Sequence, residues 1–369
     1  MATVRSVEAR DAGKSVPSTS NRLSAAVRTL PPGAFAFVMA TGIVAAAFSL
    51  IGFSAVTWVL LAVAVLGLIA LTSALVWRIV RHWDRVYADA RNPAIAFGYA
   101  TIVAAMNVVG ALFFSIEPLV TIVLLCVSVP FWLVLTYGIA AAMMLGPQNG
   151  PPAHKANGSW FIWVVATQSI SVVTGILDHG LNINLLGVIA VGMWSIGVML
   201  YIILTVIITL RLMTTTQDAF GVRPTYWVYM GATAITVYAG WSILSLLTEM
   251  PIMQATHDFI SGFTFMLWSF GVWWIPILVI FGLWRHAVKR YPVRYESELW
   301  SMVFPLGMFS VASIHIGKLL GLPVVHDMGV ICTWIAGGAW LVVTAMMLRS
   351  AAQKHVPGET TTQKIAHTL

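Results

Sequence analysis

"TLPPGAFAFVMATGIVAAAFSLIGFSAVTWVLLAVAVLGLIALTSALVW", residues 29–77, runs for 49 residues without a charged side chain. A helix rises about 1.5 Å per residue, so roughly 20 apolar residues cross the ~30 Å hydrocarbon core of a bilayer. The stretch is long enough for two crossings. "IGFSA" (51–55), near its middle, has the glycine and small polar residue of a turn. It reads as two membrane helices joined by a tight loop.

The same unit recurs four times. Residues 92–154 hold only Glu117, 156–210 only Asp178, 224–284 Glu249 and Asp258, and 299–348 Lys318 and Asp327. Each has a turn-like middle: "SIEP", "DHGLNIN", "TEMPIMQATHD" and "GLPVVHD". The pattern predicts an all-α polytopic membrane protein of ten transmembrane helices, paired as five helical hairpins. Of the 20 Lys and Arg residues, 19 fall in the two ends of the chain and in the loops near 78–91, 145–158, 211–223 and 285–294. Cytoplasmic loops carry such an excess, so both termini are expected in the cytoplasm. The tips carry the acids instead.

Composition agrees. The chain is 59% hydrophobic and 9% charged, against about 25% charged in a soluble domain. A net charge of +7 would suggest nucleic acid in a soluble chain, but here the basic residues alternate with apolar runs, so no nucleic-acid partner is expected. Cys126 and Cys332 lie inside apolar runs with no CxxC pair, and read as packing residues. Residues 1–28 are polar without an apolar core, the pattern of a disordered cytoplasmic tail rather than a signal peptide. The transmembrane domain is then 29–348, with a second tail at 349–369.

"ELWSMVFPLGMFSVASIHIGKLL" (298–320) is the most mixed of the spans. Pro305 has no N–H for the carbonyl of Ser301, which predicts a kink. Counting by threes and fours puts Ser301, Phe304, Met308, Val311, His315 and Lys318 on one stripe. Such a stripe suits a wall that meets water at its ends and narrows at Phe304, since hydrophobic constrictions gate pores by excluding water. Two readings stay open for each residue. Phe304 is a constriction or interhelix packing, and Pro305 a functional or a packing kink. His315 tunes a pH response or is a satisfied polar group. Lys318 draws anions to the outer mouth or snorkels to the interface.

What the spans lack narrows the function. No Asp or Glu lies near the middle of any of them, although cation pathways and proton pumps place carboxylates there. The polar residues expected inside the bundle are neutral: Thr41, Asn107, Gln168, Thr236 and Tyr238. Donors of that kind solvate an anion weakly enough for it to leave again. Enzyme readings find no support: His315 has no second haem ligand at membrane depth, and HExxH, a Gly-rich phosphate loop and GxSxG are all absent. The expectation is transport of an anion, with no metal or organic cofactor.

Five strings, in this order and spacing, resemble a known family: "LPPGAFAFVMATGIV" (30–44), "NPAIAFGYATIVAAMNVVG" (92–110), "NGSWFIWVVATQSISVV" (157–173), "LWSFGVWWIPILVIFGLWRH" (267–286) and "LWSMVFPLGMFSVA" (299–312). They are similar to helices one, three, five, eight and nine of the tellurite-resistance/C4-dicarboxylate transporter family. That family includes fungal malate carriers, sulfite efflux proteins and plant slow-type anion channels. The resemblance implies a homotrimer with a pore in each protomer, lined by the five odd-numbered helices. It also implies a plug by a phenylalanine of the ninth helix, here Phe304 in "VFPLG". Asn92-Pro93 stands where many relatives have His-Pro, so a role for that histidine does not carry over.

The sequence therefore sets out a plasma-membrane transporter of small anions, either a C4-dicarboxylate such as malate, or sulfite. Phe304 and Pro305 form the gate, Thr41, Asn107, Gln168 and Tyr238 line the pore, and His315 and Lys318 shape the outer vestibule. A chloride or nitrate channel with the same pore is one alternative. A non-conducting membrane scaffold or sensor sealed by Phe304 is another.

Overall fold

The computed structural model describes residues 19–146, 151–181, 183–216, 221–246 and 251–353. The tip acid Glu249, residues 1–18 of the first tail and 354–369 of the second lie outside them. Among the described residues the fold is helical: α1 (Thr19–Arg28), α2 (Ala36–Leu50), α3 (Ser54–Arg81), α4 (Trp83–Ala90), α5 (Thr101–Phe113), α6 (Pro118–Leu145), α7 (Phe161–Leu181), α8 (Asn184–Thr214), α9 (Val228–Leu244), α10 (Pro251–Leu283), α11 (Trp300–Leu319) and α12 (Pro323–Gln353). Nine of these helices, some with the short turn that leads into them, are long and apolar enough to cross a membrane. The shorter α9 is apolar as well.

Burial sorts the helices into two classes. In the most apolar windows around α2, α5, α7 and α11, between 67% and 89% of residues are buried, and 14 of the 17 residues of α9 are buried too. For α3, α6, α8, α10 and α12 the share is only 17–28%. An apolar helix with so much uncovered surface, such as α3 with Trp58, Leu66 and Ile69 exposed, is stable only against lipid. The buried five close a ring: α2 packs on α5, α5 on α7, α7 on α9, α9 on α11 and α11 on α2. Each ring helix also packs on the long helix that follows it.

Tryptophans of the outer helices fasten the ring. Indole N–H groups donate from Trp132 of α6 to Thr167 of α7 at 2.9 Å, from Trp194 of α8 to the Thr236 carbonyl at 3.1 Å, from Trp268 of α10 to Ser313 at 2.8 Å and from Trp340 of α12 to Thr41 at 3.0 Å. In an apolar solvent an unpaired N–H is costly, so each of these bonds fixes an outer helix against one inner helix. Hydroxyls on the outer faces instead satisfy themselves one turn back, as Ser73 does on Ile69 and Ser195 on Val191.

Each ring helix starts with a short 3₁₀ turn: Pro32–Phe35, Ala96–Ala100, Gly158–Trp160, Pro224–Trp227 and Ser297–Leu299. Pro32 and Pro224 occupy first-turn positions, where a missing N–H costs nothing. Asn157 accepts from the Ser159 N–H at 2.9 Å and so caps the third turn. All five turns lie on the face that carries the basic loops.

Three expectations change. The last ten residues of the 1–28 tail form α1, which packs on α3 with Val27 buried, because even one apolar residue per turn finds cover there. The second tail begins later than 349, since α12 continues to Gln353. Asp258 and Asp327 are helical rather than in turns, and Asp178 is buried within α7.

Candidate functional site: two cavities inside the ring

Two cavities of about 80 Å³ each lie inside the ring, and every one of the five ring segments lines both. The inner cavity is walled by Ile43 and Ala46 of α2, Asn107 and Leu112 of α5, Ser169 and Val172 of α7, Ile235 and Tyr238 of α9, and Met308 and Val311 of α11. The second cavity lies among the 3₁₀ turns at the basic face. Gly33, Gly98, Ser159, Thr225, Glu298 and Ser301 line it, with Arg223. About one water needs 10–15 Å³ of such volume, so each holds several waters or a small ion.

The stripe along α11 runs past both. Ser301 lines the basic-face cavity, while Met308 and Val311 line the inner one. Phe304 occupies the turn between, about 4.5 Å along the helix from Ser301 and 6 Å from Met308. It is fully buried. α11 remains helical through Pro305. The proline ring presses on α9 at Gly231, where an added Cβ would fall 2.8 Å from it. Any larger residue there would push α11 and its phenylalanine out of register with the ring.

The inner cavity is mostly apolar, with a polar wall of Asn107, Ser169 and Tyr238, and no residue lining it carries a charge. Its polar wall is tied in a chain. Ser128 of α6 donates to the Asn107 carbonyl oxygen at 2.8 Å, the Asn107 amide donates to Ser169 at 2.9 Å, and Ser169 donates to the Ala166 carbonyl at 2.7 Å. That chain holds the Asn107 amide at the wall with a second N–H still to give. Tyr238 is half-buried, stacked on Trp241 with ring centroids 5.3 Å apart.

Of the four polar residues expected to line a pore, the structure brings Asn107 and Tyr238 to the inner cavity and leaves Thr41 and Gln168 out of both cavities. Thr41 accepts the Trp340 indole, and Gln168 donates to the Trp194 carbonyl of α8 at 3.1 Å. Each turns to the outer helix that offers it a partner, because a buried polar group follows its hydrogen bond. Thr236 likewise bonds the Ala232 carbonyl of its own helix. His315 is half-buried and packs on Trp241 at 3.8 Å and Tyr238 at 5.2 Å. Lys318 is exposed near the end of α11. Ser169, Arg223, Thr225 and Glu298 were not singled out from sequence. The arginine and glutamate carried a signal, being charges a few residues ahead of α9 and α11.

Over residues 29–348 the chain matches the voltage-dependent anion channel family, SLAC1. The chain belongs to that family. It is the tellurite-resistance/C4-dicarboxylate transporter family resembled above, and it makes this chain a multi-pass membrane protein of a group of anion transporters and channels. An uncharacterized membrane protein of Mycobacterium tuberculosis is 39% identical over 153 residues, covering 42% of this chain and 77% of that one. Two uncharacterized transporters of Methanocaldococcus jannaschii are each 24% identical. One aligns over 332 residues, 86% of this chain and 92% of its own, and the other over 274 residues, 72% and 77%.

Proposed function

We propose that this chain passes small anions along the interior of the ring, and that Phe304 is the constriction. One observation carries the reading: two cavities, each lined by all five ring segments, are separated along α11 by the turn that holds Phe304. The ring helices and their outer partners are ten spans in five hairpins, with the basic face and both termini in the cytoplasm. Arg78, Arg85, Arg91, Lys155, Arg211, Arg223 and Arg285 on that face support this orientation. The plasma membrane is its site, and three copies assemble, each with its own pathway. Asn107, Ser169 and Tyr238 line the central part, while His315 and Lys318 stand towards the outer mouth. The substrate is a malate-like C4-dicarboxylate or sulfite.

A chloride- or nitrate-conducting channel is favoured by one feature of its own. Five similar helices closing one ring suit a fixed pore better than two halves that rock about a midplane site. The non-conducting scaffold has nothing comparable in its support.

Currents across planar bilayers holding the purified protein test the proposal. Reversal potentials that follow the anion gradient under ion substitution support it. Cation-following potentials refute it. Uptake of labelled malate or sulfite into proteoliposomes, saturable and driven by a gradient, separates carrier from channel.

A further inference from the structure

The five 3₁₀ turns at the basic face touch one another in a second closed ring: Pro32–Phe35 with Ala96–Ala100, then Gly158–Trp160, Pro224–Trp227, Ser297–Leu299 and back to the first. Each supplies lining to the basic-face cavity. Five helix N-termini therefore surround one space. The first N–H groups of a helix have no intrahelical partner, and its macrodipole puts about half a positive charge there. Close approach is built in. A Cβ on Gly158 would lie 2.2 Å from the Thr225 carbonyl oxygen, so only glycine lets those two turns meet.

Side chains add two features that N-termini alone do not. Arg223 lines this cavity and donates to Glu298 at 3.0 Å, each side chain about one-third exposed. Thr225, 5% exposed, also lines it, and its hydroxyl is buried without a hydrogen-bond partner. A buried hydroxyl left unpaired is costly, and here it lines the same space as Arg223, one large enough for a small ion. The neighbouring Arg285 anchors the segment, donating to the Val222 carbonyl at 3.2 Å and to both oxygens of Glu296 at 3.0 and 3.1 Å.

We infer that the basic-face cavity is an anion-binding site made by Arg223, Thr225 and the ring of helix N-termini, and that the Glu298 carboxylate is its internal competitor. A halide or small oxyanion arriving from the basic side takes the place of Glu298 on Arg223 and accepts from the Thr225 hydroxyl. From there it stands one turn below Phe304. Glu298 keeps Arg223 neutralised between passages and sets how much anion is needed to load the pathway. The inference rests on the anion-pore reading and assigns the loading step to named residues.

The test uses the full-length protein with Phe304→Ala, in planar bilayers, titrating nitrate and chloride separately on the two sides. Arg223→Gln should raise the half-saturating concentration on one side about tenfold, about 1.4 kcal/mol, because a charge-assisted hydrogen bond to the anion is lost. Arg223→Lys should recover part of that loss. Thr225→Val should raise it roughly threefold. Glu298→Gln should lower it roughly threefold to tenfold, a gain that misfolding does not produce. The opposite side should not respond to any of them. Half-saturation unmoved by Arg223→Gln and Glu298→Gln, or raised by Glu298→Gln, overturns this inference while anion current leaves the pore reading standing. Absence of anion current with Phe304→Ala overturns both.

Discussion

Replacing Phe304 with alanine separates a gate from a packing residue, because the two roles predict opposite balances of stability and flux. In a close-packed core, Phe→Ala costs about 3–5 kcal/mol, mostly through the cavity left behind. Phe304 is fully buried and lines neither cavity, but its turn of α11 lies between Ser301 and Met308, each of which lines a space of about 80 Å³. If Phe304 is the gate, removing the ring joins those spaces and water fills the gap. The stability cost should then fall below about 3 kcal/mol. Taking an ion out of water inside a protein carries an effective penalty of several kcal/mol. A continuous water path relieves part of it. Relief of about 2–4 kcal/mol corresponds to roughly 30-fold to 1,000-fold in rate. The assay is single-protein nitrate conductance in planar bilayers, alongside thermal unfolding of the same preparation. Phe304→Leu should fall between wild type and alanine, and Phe304→Trp should stay closed. An alanine variant that unfolds much more easily, with conductance unchanged, would mean that Phe304 is ordinary packing.

Three further outcomes test neighbouring residues. Thr41→Val should leave ion selectivity unchanged and lower stability by about 1 kcal/mol, since it deprives the part-buried Trp340 indole of its acceptor; unfolding and reversal potentials measured together check this. Asn107→Leu should destabilise by about 1–3 kcal/mol and also cut conductance, because it breaks the Ser128–Asn107–Ser169 chain at the cavity wall; unchanged conductance in a folded variant would remove Asn107 from the pathway. Lys318→Gln should change conductance less than twofold at physiological salt, since the side chain is exposed and screening there acts within about 8 Å. A large shift in anion permeability would instead make Lys318 part of the outer mouth.

The spans were legible because charge and turn residues mark membrane boundaries, and the inner and outer classes only in part, from lipid-facing spans such as 56–77 that are uniformly apolar. The stripe on α11 was legible in part for a related reason: its periodicity joins residues of unlike character, and Ser301, Met308 and Val311 line the cavities whereas Phe304, His315 and Lys318 line neither. Direction on the other inner helices was not. A helix buried on every side has no polar face, so nothing in α2 says whether Thr41 looks inward or towards Trp340. Gln168 was hidden in the same way, its partner being a backbone carbonyl of α8 that a sequence does not display. The residues of the basic-face cavity were missed because Arg223 and Glu298 looked like ordinary loop charges. Only the fold brings residues 75 positions apart to 3.0 Å.

The chemistry of the two cavities bears on how such a path selects by sign with so little charge inside it. The inner cavity offers only neutral donors, and an amide or hydroxyl also has an oxygen that a cation could use. Discrimination must then come from groups that cannot reverse themselves. Exposed Lys and Arg on the loops qualify, but salt weakens them beyond about 8 Å. Backbone N–H groups at five converging helix starts are fixed by the fold, lie next to the path and act at contact distance, where screening is weak. The absence of acidic residues from the inner cavity is the other half of the same arrangement. One carboxylate does reach the path, Glu298, and it is held on Arg223. A charge of the wrong sign is tolerable there because its partner neutralises it, and an entering anion can then compete for that partner. On the proposed reading, sign selection belongs to the basic-face cavity, and Phe304, an apolar ring with no sign of its own, controls only whether the path is open.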